Sequence, residues 1–554
     1  MLPKSLILIL LACATASRSQ HTQRPFSAPK ADDGYEFKWP IKRVAIIGAG
    51  VSGLIAYREF TRTGDFDTIR VFERDDVPGG NWHYTEETPL DAPIPNADPV
   101  VGDFVPSLPP SLPAEEVYPA SEARARWREH RGPKPVWDSL GSNAPAPIQQ
   151  ITELPWPPGT PWQLPHRTLA KYLRAFASFH GINSNDDNPD VSYNTRVELV
   201  EKKRELNGQH RGWTLTLKRL EHLGYGSVKA SWWSEDFDAI VVATGRYNAP
   251  NIPAIPGLKE WSERFPRSIL HSRQYRRPET FANETVLVIG AGTSAVEISR
   301  EVNPLAHKIY QSVRAPNPHL PKEIGRIQLH RLPANISIVP DIRTFHPDDG
   351  SVQLLNGTRI RGITRIVFAT GFRYSFPFLP HLHGSTANKS ATMTFNDRPV
   401  VTDGTHLRSL HEDFISIDEP TIGFLSMNWG MQSFTYSEYL SLALAKVWSR
   451  RAVLPKTEEL WRIYEQRIHD RGGYGRHLQF LGIERTSARI RFFVAWLNDA
   501  AGKFGGRQID AESKDLKEIS AVWFRALYGV DRYADGSSVD SESLPLDWVY
   551  GEDW

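Results

Sequence analysis

Apolar positions along the chain fall into short unbroken runs, each followed by a stretch of helical spacing. The first pair is Val44 to Ile47, then 51–60, where apolar residues recur three and four apart. This pattern predicts a strand over 43–47 and a helix from Val51, with a second strand over 68–72. It repeats at 285–289, with a helix after Gly292 and a following strand over 307–312. Two further apolar runs, 238–243 and 365–369, end in Ala-Thr-Gly, at Thr244-Gly245 and Thr370-Gly371. Helical spacing returns at 166–179. Strands alternating with helices predict parallel sheets covered by helices, an α/β fold of the three-layer type. The stretch between Pro89 and Pro165 carries 18 of the chain's 42 prolines, which predicts a long loop region. Beyond Leu454, Trp, Tyr and Arg accumulate, with helical patches such as 516–527, and a C-terminal helical extension over 471–554 packed on the first unit is expected.

Each of the two strand–helix junctions is a glycine turn. The first reads Gly48-Ala-Gly50-Val-Ser-Gly53, the second Gly290-Ala-Gly292-Thr-Ser-Ala295. In such a turn the first glycine permits the tight bend and the second lets backbone approach a pyrophosphate. The third lets the helix pack close to the strand. The helix N-terminus then offers N–H groups and a positive dipole end to phosphates. A lone turn of this kind is weak evidence; two, each in its strand–turn–helix setting, predict two dinucleotides bound together, a flavin and the nicotinamide that reduces it. Glu73 ends the strand 68–72, where a carboxylate can accept from ribose hydroxyls and repels a 2′-phosphate, so FAD or NAD suits the first turn. The second site has no acid there. Ser312 and Arg314 offer a hydroxyl and a guanidinium instead, which predicts NADPH over NADH. The paired Thr-Gly segments flank the second turn and predict crossings into and out of an inserted domain. The expected units are an FAD-binding domain over 41–247 and 372–470, and an NADPH-binding domain over 248–371.

Charge adds only exclusions. With 65 Lys and Arg against 64 Asp and Glu, no basic surface suggests nucleic acid. The single cysteine, Cys13, excludes a disulfide reductase, which needs a redox-active pair. No ligand cluster for a metal stands out. The N-terminus carries Lys4, nine apolar residues from Leu6 to Ala14 and an Ala-x-Ala exit. This is the pattern of a secretory signal over 1–16, with an uncleaved interfacial anchor or a misplaced start as alternatives. The run is far below the about 20 residues a span requires. Four N-x-S/T triplets, at Asn283, Asn335, Asn356 and Asn388, accord with entry into the secretory pathway as a lumenal or secreted glycoprotein.

The chain resembles the flavin-containing monooxygenases, the class B type carrying FAD and NADPH and including the N,N-dimethylaniline monooxygenases. Their identifying motif, F-x-G-x-x-x-H-x-x-x-[YF], corresponds to Phe265-Pro-Arg267-Ser-Ile-Leu-His271-Ser-Arg-Gln-Tyr275, with Arg267 where the family has glycine. Gly79-Gly80-Asn81-Trp82 is similar to the family's GGxW segment, and 136–145 to its segment carrying a flavin-facing asparagine, here Asn143. The two Thr-Gly segments are similar to its domain crossings. The resemblance implies that Gly48, Gly50, Gly53, Glu73, Gly80 and Trp82 hold FAD, with Thr244 and Gly245 passing close by. It implies that Gly290, Gly292, Ser312 and Arg314 hold NADPH. It implies Asn143 as the catalytic residue, hydrogen-bonding where a C4a-hydroperoxyflavin forms from O2. His271 is expected to be structural, and Glu438 matches a family position near both cofactors. The implied activity is N- or S-oxygenation of a small molecule or peptide with a soft nucleophilic atom, in specialised metabolism. The alternatives are a Baeyer–Villiger oxygenase acting on a ketone, which Tyr275 disfavours because those relatives have Trp there, and a non-catalytic FAD/NADPH-binding protein.

Overall fold

The computed structural model describes residues 34–510, apart from 97, 100, 101, 206, 207, 316, 320–327, 330 and 385–397. The leader with Cys13, the triplet at Asn388 and the patch 516–527 lie outside the described residues. The other three triplet asparagines are exposed. No helix among the described residues is long and apolar enough to cross a membrane.

Strand Arg43–Ile47 (β1) leads into helix Val51–Thr63 (α1), and Thr68–Phe72 (β2) returns parallel to β1, with Arg43 opposite Thr68 and Ile47 opposite Phe72. On the other side of β1 lies Ala239–Val242 (β3), also parallel. They form the centre of a seven-stranded sheet that adds Val191–Ser192 beyond β2 and Ile422–Phe424, Ile415–Ser416 and Leu410–His411 beyond β3. Val44, Ala45 and Ile46 are all fully buried, so both faces of the sheet are covered and the strand reads as an unbroken apolar run.

A second sheet has the same logic. Thr285–Ile289 (β4) leads into helix Thr293–Val302 (α2), and Lys308–Val313 (β5) pairs parallel to β4. Arg365–Phe368 (β6) pairs with β4 on its other side, in a five-stranded sheet drawn wholly from residues 269–368. The two Thr-Gly segments run side by side between the sheets: Ala249–Pro250 pairs antiparallel with Phe372–Arg373, and the Asn251 N–H donates to the Gly371 carbonyl at 2.9 Å. Helix 166–179 forms as expected. Helix Ser433–Trp448 (α3) packs against α1, with the Ser52 and Ser437 hydroxyls 3.0 Å apart. Helix Gly482–Phe504 (α4) packs on α3, and the Lys446 ammonium donates to the Leu497 carbonyl at 3.1 Å.

The proline-rich stretch is not purely loop. Ala114–Tyr118 is a strand and Ala120–Arg131 a helix. The strand pairs antiparallel with Val228–Phe237 in a four-stranded sheet that includes Thr195–Arg204 and His210–His222. Both elements lie at the surface and bury few side chains, Tyr118 from the strand and Trp127 and His130 from the helix. The hydrophobic period was therefore too weak to mark them.

The motif Phe265–Tyr275 explains its own departure. Arg267 adopts φ +67°, the left-handed conformation that glycine favours, with its exposed side chain turned to solvent. The backbone path is thus kept at the cost of strain. His271 is structural: it is buried, Nε2 donates to the Gly371 carbonyl at 3.0 Å, and Nδ1 accepts from the Arg273 N–H at 3.2 Å. Burial, helped by the Arg273 charge, pushes its pKa down to about 3, so the ring is neutral and both nitrogens are engaged.

Relief of about 1–2 kcal/mol of left-handed strain, less about 0.4–1 kcal/mol for the freer unfolded chain, makes Arg267→Gly neutral to stabilising by about 1 kcal/mol. Arg267→Val should destabilise, because a β-branched residue resists positive φ. Urea unfolding of both variants checks the pair of signs.

Candidate active site

The first turn is built by backbone lying on backbone. Gly48 has φ +106°, and a methyl group there would sit 2.7 Å from the Ala243 carbonyl oxygen at the end of β3. One on Gly53 would sit 1.9 Å from the Gly48 carbonyl oxygen, so only glycine lets α1 pack this close. Gly80, at φ +56°, abuts Gly50 so closely that its methyl would be 2.9 Å from the Gly50 Cα. The Gly79 N–H donates to the Ala49 carbonyl at 3.0 Å and fixes this loop over the turn. No side chain caps α1, so its first N–H groups are left for a ligand.

Glu73 sits under the turn, buried. Its carboxylate accepts from the Ala49 N–H at 2.7 Å and the Asp75 N–H at 2.9 Å. It therefore shapes the phosphate turn, and the residue also lines the cavity. Beside it lie Arg74, paired with Asp103 at 2.7 Å, and the buried Lys134, whose ammonium burial and the Arg74 charge hold below its usual range. No spacing in the sequence marks Lys134 for this place.

These residues open onto one cavity of about 400 Å³, within the ~300–1,000 Å³ typical of ligand sites. Gly48, Gly50, Glu73, Gly80, Trp82, Asn143, Thr244 and Gly245 all line it. So do Thr293 and Ser294, in the first turn of α2. The N-termini of both turn-borne helices thus reach the same space. An uncapped helix start, a glycine cradle and a cavity of this volume fit the phosphates and rings of a dinucleotide.

The second turn is arranged differently from expectation. Gly290 carries φ +133° against the Ala369 carbonyl, as the first glycine of such a turn must, and buried Ala295 replaces the third. Gly290 and Gly292 shape the turn without lining the cavity themselves. Ser312 is a correction: it is buried, and its hydroxyl donates to the Pro340 carbonyl at 3.2 Å, away from the cavity. Its place in the middle of a covered parallel sheet turns it inward. Arg314, past the end of β5, is exposed and remains available to a phosphate. Gln311 does at this turn what Glu73 does at the first, donating from Nε2 to the Gly290 carbonyl while Oε1 accepts from the Ser299 hydroxyl at 2.5 Å.

Glu438 does not line the cavity. Its carboxylate accepts from Arg58 at 3.0 Å and from the Thr152 hydroxyl at 2.7 Å, tying α3 to α1 and to the 150s segment. Glu301, on α2, had no mark in the sequence and holds the cavity wall together. Its carboxylate accepts from Trp137 Nε1 at 3.0 Å, the Ser139 hydroxyl at 2.5 Å and the Tyr275 hydroxyl at 2.7 Å. Trp137 and Ser139 belong to the segment that delivers Asn143, and Tyr275 ends the motif. One carboxylate thereby fixes Asn143 relative to the second turn, and burial together with Glu301 pushes the Tyr275 phenol far up.

Hydrogen bonds to a charged group contribute about 1.5–3 kcal/mol each, and Glu301→Gln keeps one acceptor oxygen of two. It should lower stability in urea by about 1.5–3 kcal/mol, because the amide oxygen stays with Trp137 and Ser139 while the Tyr275 hydroxyl loses its charged acceptor. A change under about 0.5 kcal/mol would show that the three donors do not depend on the charge.

Residues 125–345 match the model of the flavin-binding monooxygenase-like family, and 46–96 that of NAD(P)-binding Rossmann-like domains. The chain is 50% identical to the flavin-containing monooxygenase iboF of Amanita muscaria, over 92% of this chain and 99% of that one. It is 28% identical to flavin-containing monooxygenase FMO GS-OX3 of Arabidopsis thaliana, over 85% of this chain and 87% of the relative. Among solved structures, its fold is similar to that of S-allyl-L-cysteine S-oxygenase from Allium sativum, with TM-score 0.58, 23% identity and coverage of 88% of this chain and 98% of that one. The chain belongs to the flavin-containing monooxygenases and is an FAD-dependent monooxygenase that draws on a nicotinamide dinucleotide.

Proposed function

We propose that the protein uses NADPH and O2 to place one oxygen atom on a soft nucleophile, an amine nitrogen or a sulfide sulfur. The observation that carries this reading is the single cavity reached by both helix N-termini and walled by Asn143. The seven-stranded sheet, drawn from 41–247 and 372–470, is assigned to FAD, and the five-stranded sheet within 248–371 to NADPH. The bound flavin supplies hydride acceptance and oxygen activation. The chain supplies the rest. Gly48, Gly50 and Gly53 with the α1 N-terminus hold the FAD pyrophosphate, and Glu73 keeps that turn in shape and receives the ribose. Gly80 and Trp82 close one wall, while Thr244 and Gly245 bring the crossing alongside. Gly290 and Gly292 place the α2 N-terminus at the NADPH phosphates, and Arg314 meets the 2′-phosphate. Asn143 presents a hydrogen-bonding amide at the reacting edge. Relatives named S-allyl-L-cysteine S-oxygenase and, in Saccharomyces cerevisiae, thiol-specific monooxygenase lend support to sulfur as an acceptor.

The purified protein should be yellow and oxidise NADPH at least about tenfold more efficiently than NADH, a preference worth about 1.4 kcal/mol. Arg314→Ala should erase most of that preference. With 18O2, amine or thioether products should gain one labelled oxygen. Colourless protein after reconstitution, FAD without NADPH turnover, or labelled esters from ketones would each overturn the proposal.

A further inference from the structure

One side chain in the cavity wall is left without a partner. Gln149 lines the cavity and is only 3% exposed. Its backbone is fully engaged. The N–H donates to the Pro145 carbonyl at 3.0 Å and the Ala146 carbonyl at 3.1 Å, and the carbonyl accepts from Trp156 Nε1 at 2.9 Å. The side-chain amide has no such engagement. Oε1 is buried with no hydrogen-bond partner among the described residues. Nε2 donates to none of them either, and it is not sealed off as Oε1 is. The neighbouring Gln150 shows the contrast, its Oε1 accepting from the Trp156 N–H at 3.2 Å. A buried amide without partners is costly, and a ligand that offers both a donor and an acceptor removes the cost.

The place of Gln149 in the wall selects the ligand group. The Thr435 hydroxyl donates to the Ile148 carbonyl at 3.2 Å, which ties this segment to the first turn of α3. Ser437 on α3 in turn meets Ser52, in the first turn of α1, at 3.0 Å. Glu73 grips the phosphate turn elsewhere, from the end of β2 through the Ala49 N–H. A dinucleotide with its ribose at Glu73 and its pyrophosphate at the α1 N-terminus therefore carries its isoalloxazine toward α3, where Gln149 lies. Of the edges of that ring, only the imide sets a carbonyl beside an N–H, the complement of a primary amide. The terminal torsion of a glutamine is broad, so both amide atoms can turn to one edge.

We infer that Gln149 hydrogen-bonds the imide edge of the flavin, giving an Nε2 hydrogen to a ring carbonyl and taking the N3 hydrogen on Oε1. The inference rests on the assignment of FAD to the seven-stranded sheet and goes beyond it, since it fixes which edge of the ring faces α3.

The test is reconstitution of the apoprotein with FAD and with N3-methyl-FAD, followed by flavin fluorescence. It uses neither NADPH nor a substrate, so it stands apart from the test of oxygenation. The wild-type protein should bind N3-methyl-FAD at least about tenfold more weakly than FAD. Gln149→Met, checked for fold by circular dichroism, should shrink that penalty to below about threefold. Gln149→Glu keeps an acceptor for the N3 hydrogen and should retain most of the penalty. A hydrogen donated to a ring carbonyl favours the electron-rich reduced ring, so the midpoint potential of the bound flavin should fall in both variants. Wild-type affinities within about threefold of each other, a penalty that survives in Gln149→Met, or an unchanged potential would overturn the inference. So would folded Gln149→Met that binds neither flavin, since one edge contact does not carry the whole affinity.

Discussion

Three stretches of backbone meet at the first nucleotide turn without room for a single methyl group between them. The Gly53 Cα lies against the Gly48 carbonyl, Gly48 against Ala243, and Gly80 against Gly50. This contact sets the distance between α1 and the sheet, aims the uncapped helix N-terminus at the cavity, and lays the Gly80–Trp82 turn across it. The turn is held from both neighbours of β1, its Gly48 N–H donating to the Phe72 carbonyl at the end of β2 at 2.8 Å while its Cα faces Ala243 at the end of β3.

Around that contact, three carboxylates and one amide, buried at Glu73 and Gln311 and half-buried at Glu301 and Glu438, do the positioning. Glu73 and Gln311 each pin one phosphate turn from below. Glu301 draws the Asn143 segment and Tyr275 onto α2. Glu438 binds α3 to α1 through Arg58. All four engage partners distant in sequence, so each converts a local turn into part of a shared wall. Satisfied polar groups of this kind specify a geometry more than they add stability.

Much of this was legible from residues alone. Unbroken apolar strands between glycine turns marked both sheets, since parallel strands buried on both faces leave a plain signal. The strand bounds at 43–47, 68–72 and 285–289 and the helix at 166–179 agree with the sequence pattern. Surface elements were not legible: the strand at 114–118 and the helix at 120–131 bury too little to show a period. The site was legible where backbone chemistry dictates the residue and not where side-chain direction decides. Ser312 has a suitable hydroxyl but points into the sheet, and nothing local foretells that. Gln311, Lys134 and Glu301 matter through partners far away in the chain, and no spacing within one segment encodes them. Arg267 shows the converse, a residue that breaks the family pattern while its backbone keeps the glycine path.

The most direct measurement of the central claim is flavin content after gel filtration of Gly80→Ala, with circular dichroism to confirm the fold. A methyl 2.9 Å from the Gly50 Cα must push the Gly80–Trp82 turn off the phosphate cradle. The account predicts folded, colourless protein that regains little flavin on reconstitution. Folded protein that retains one flavin per chain would contradict it.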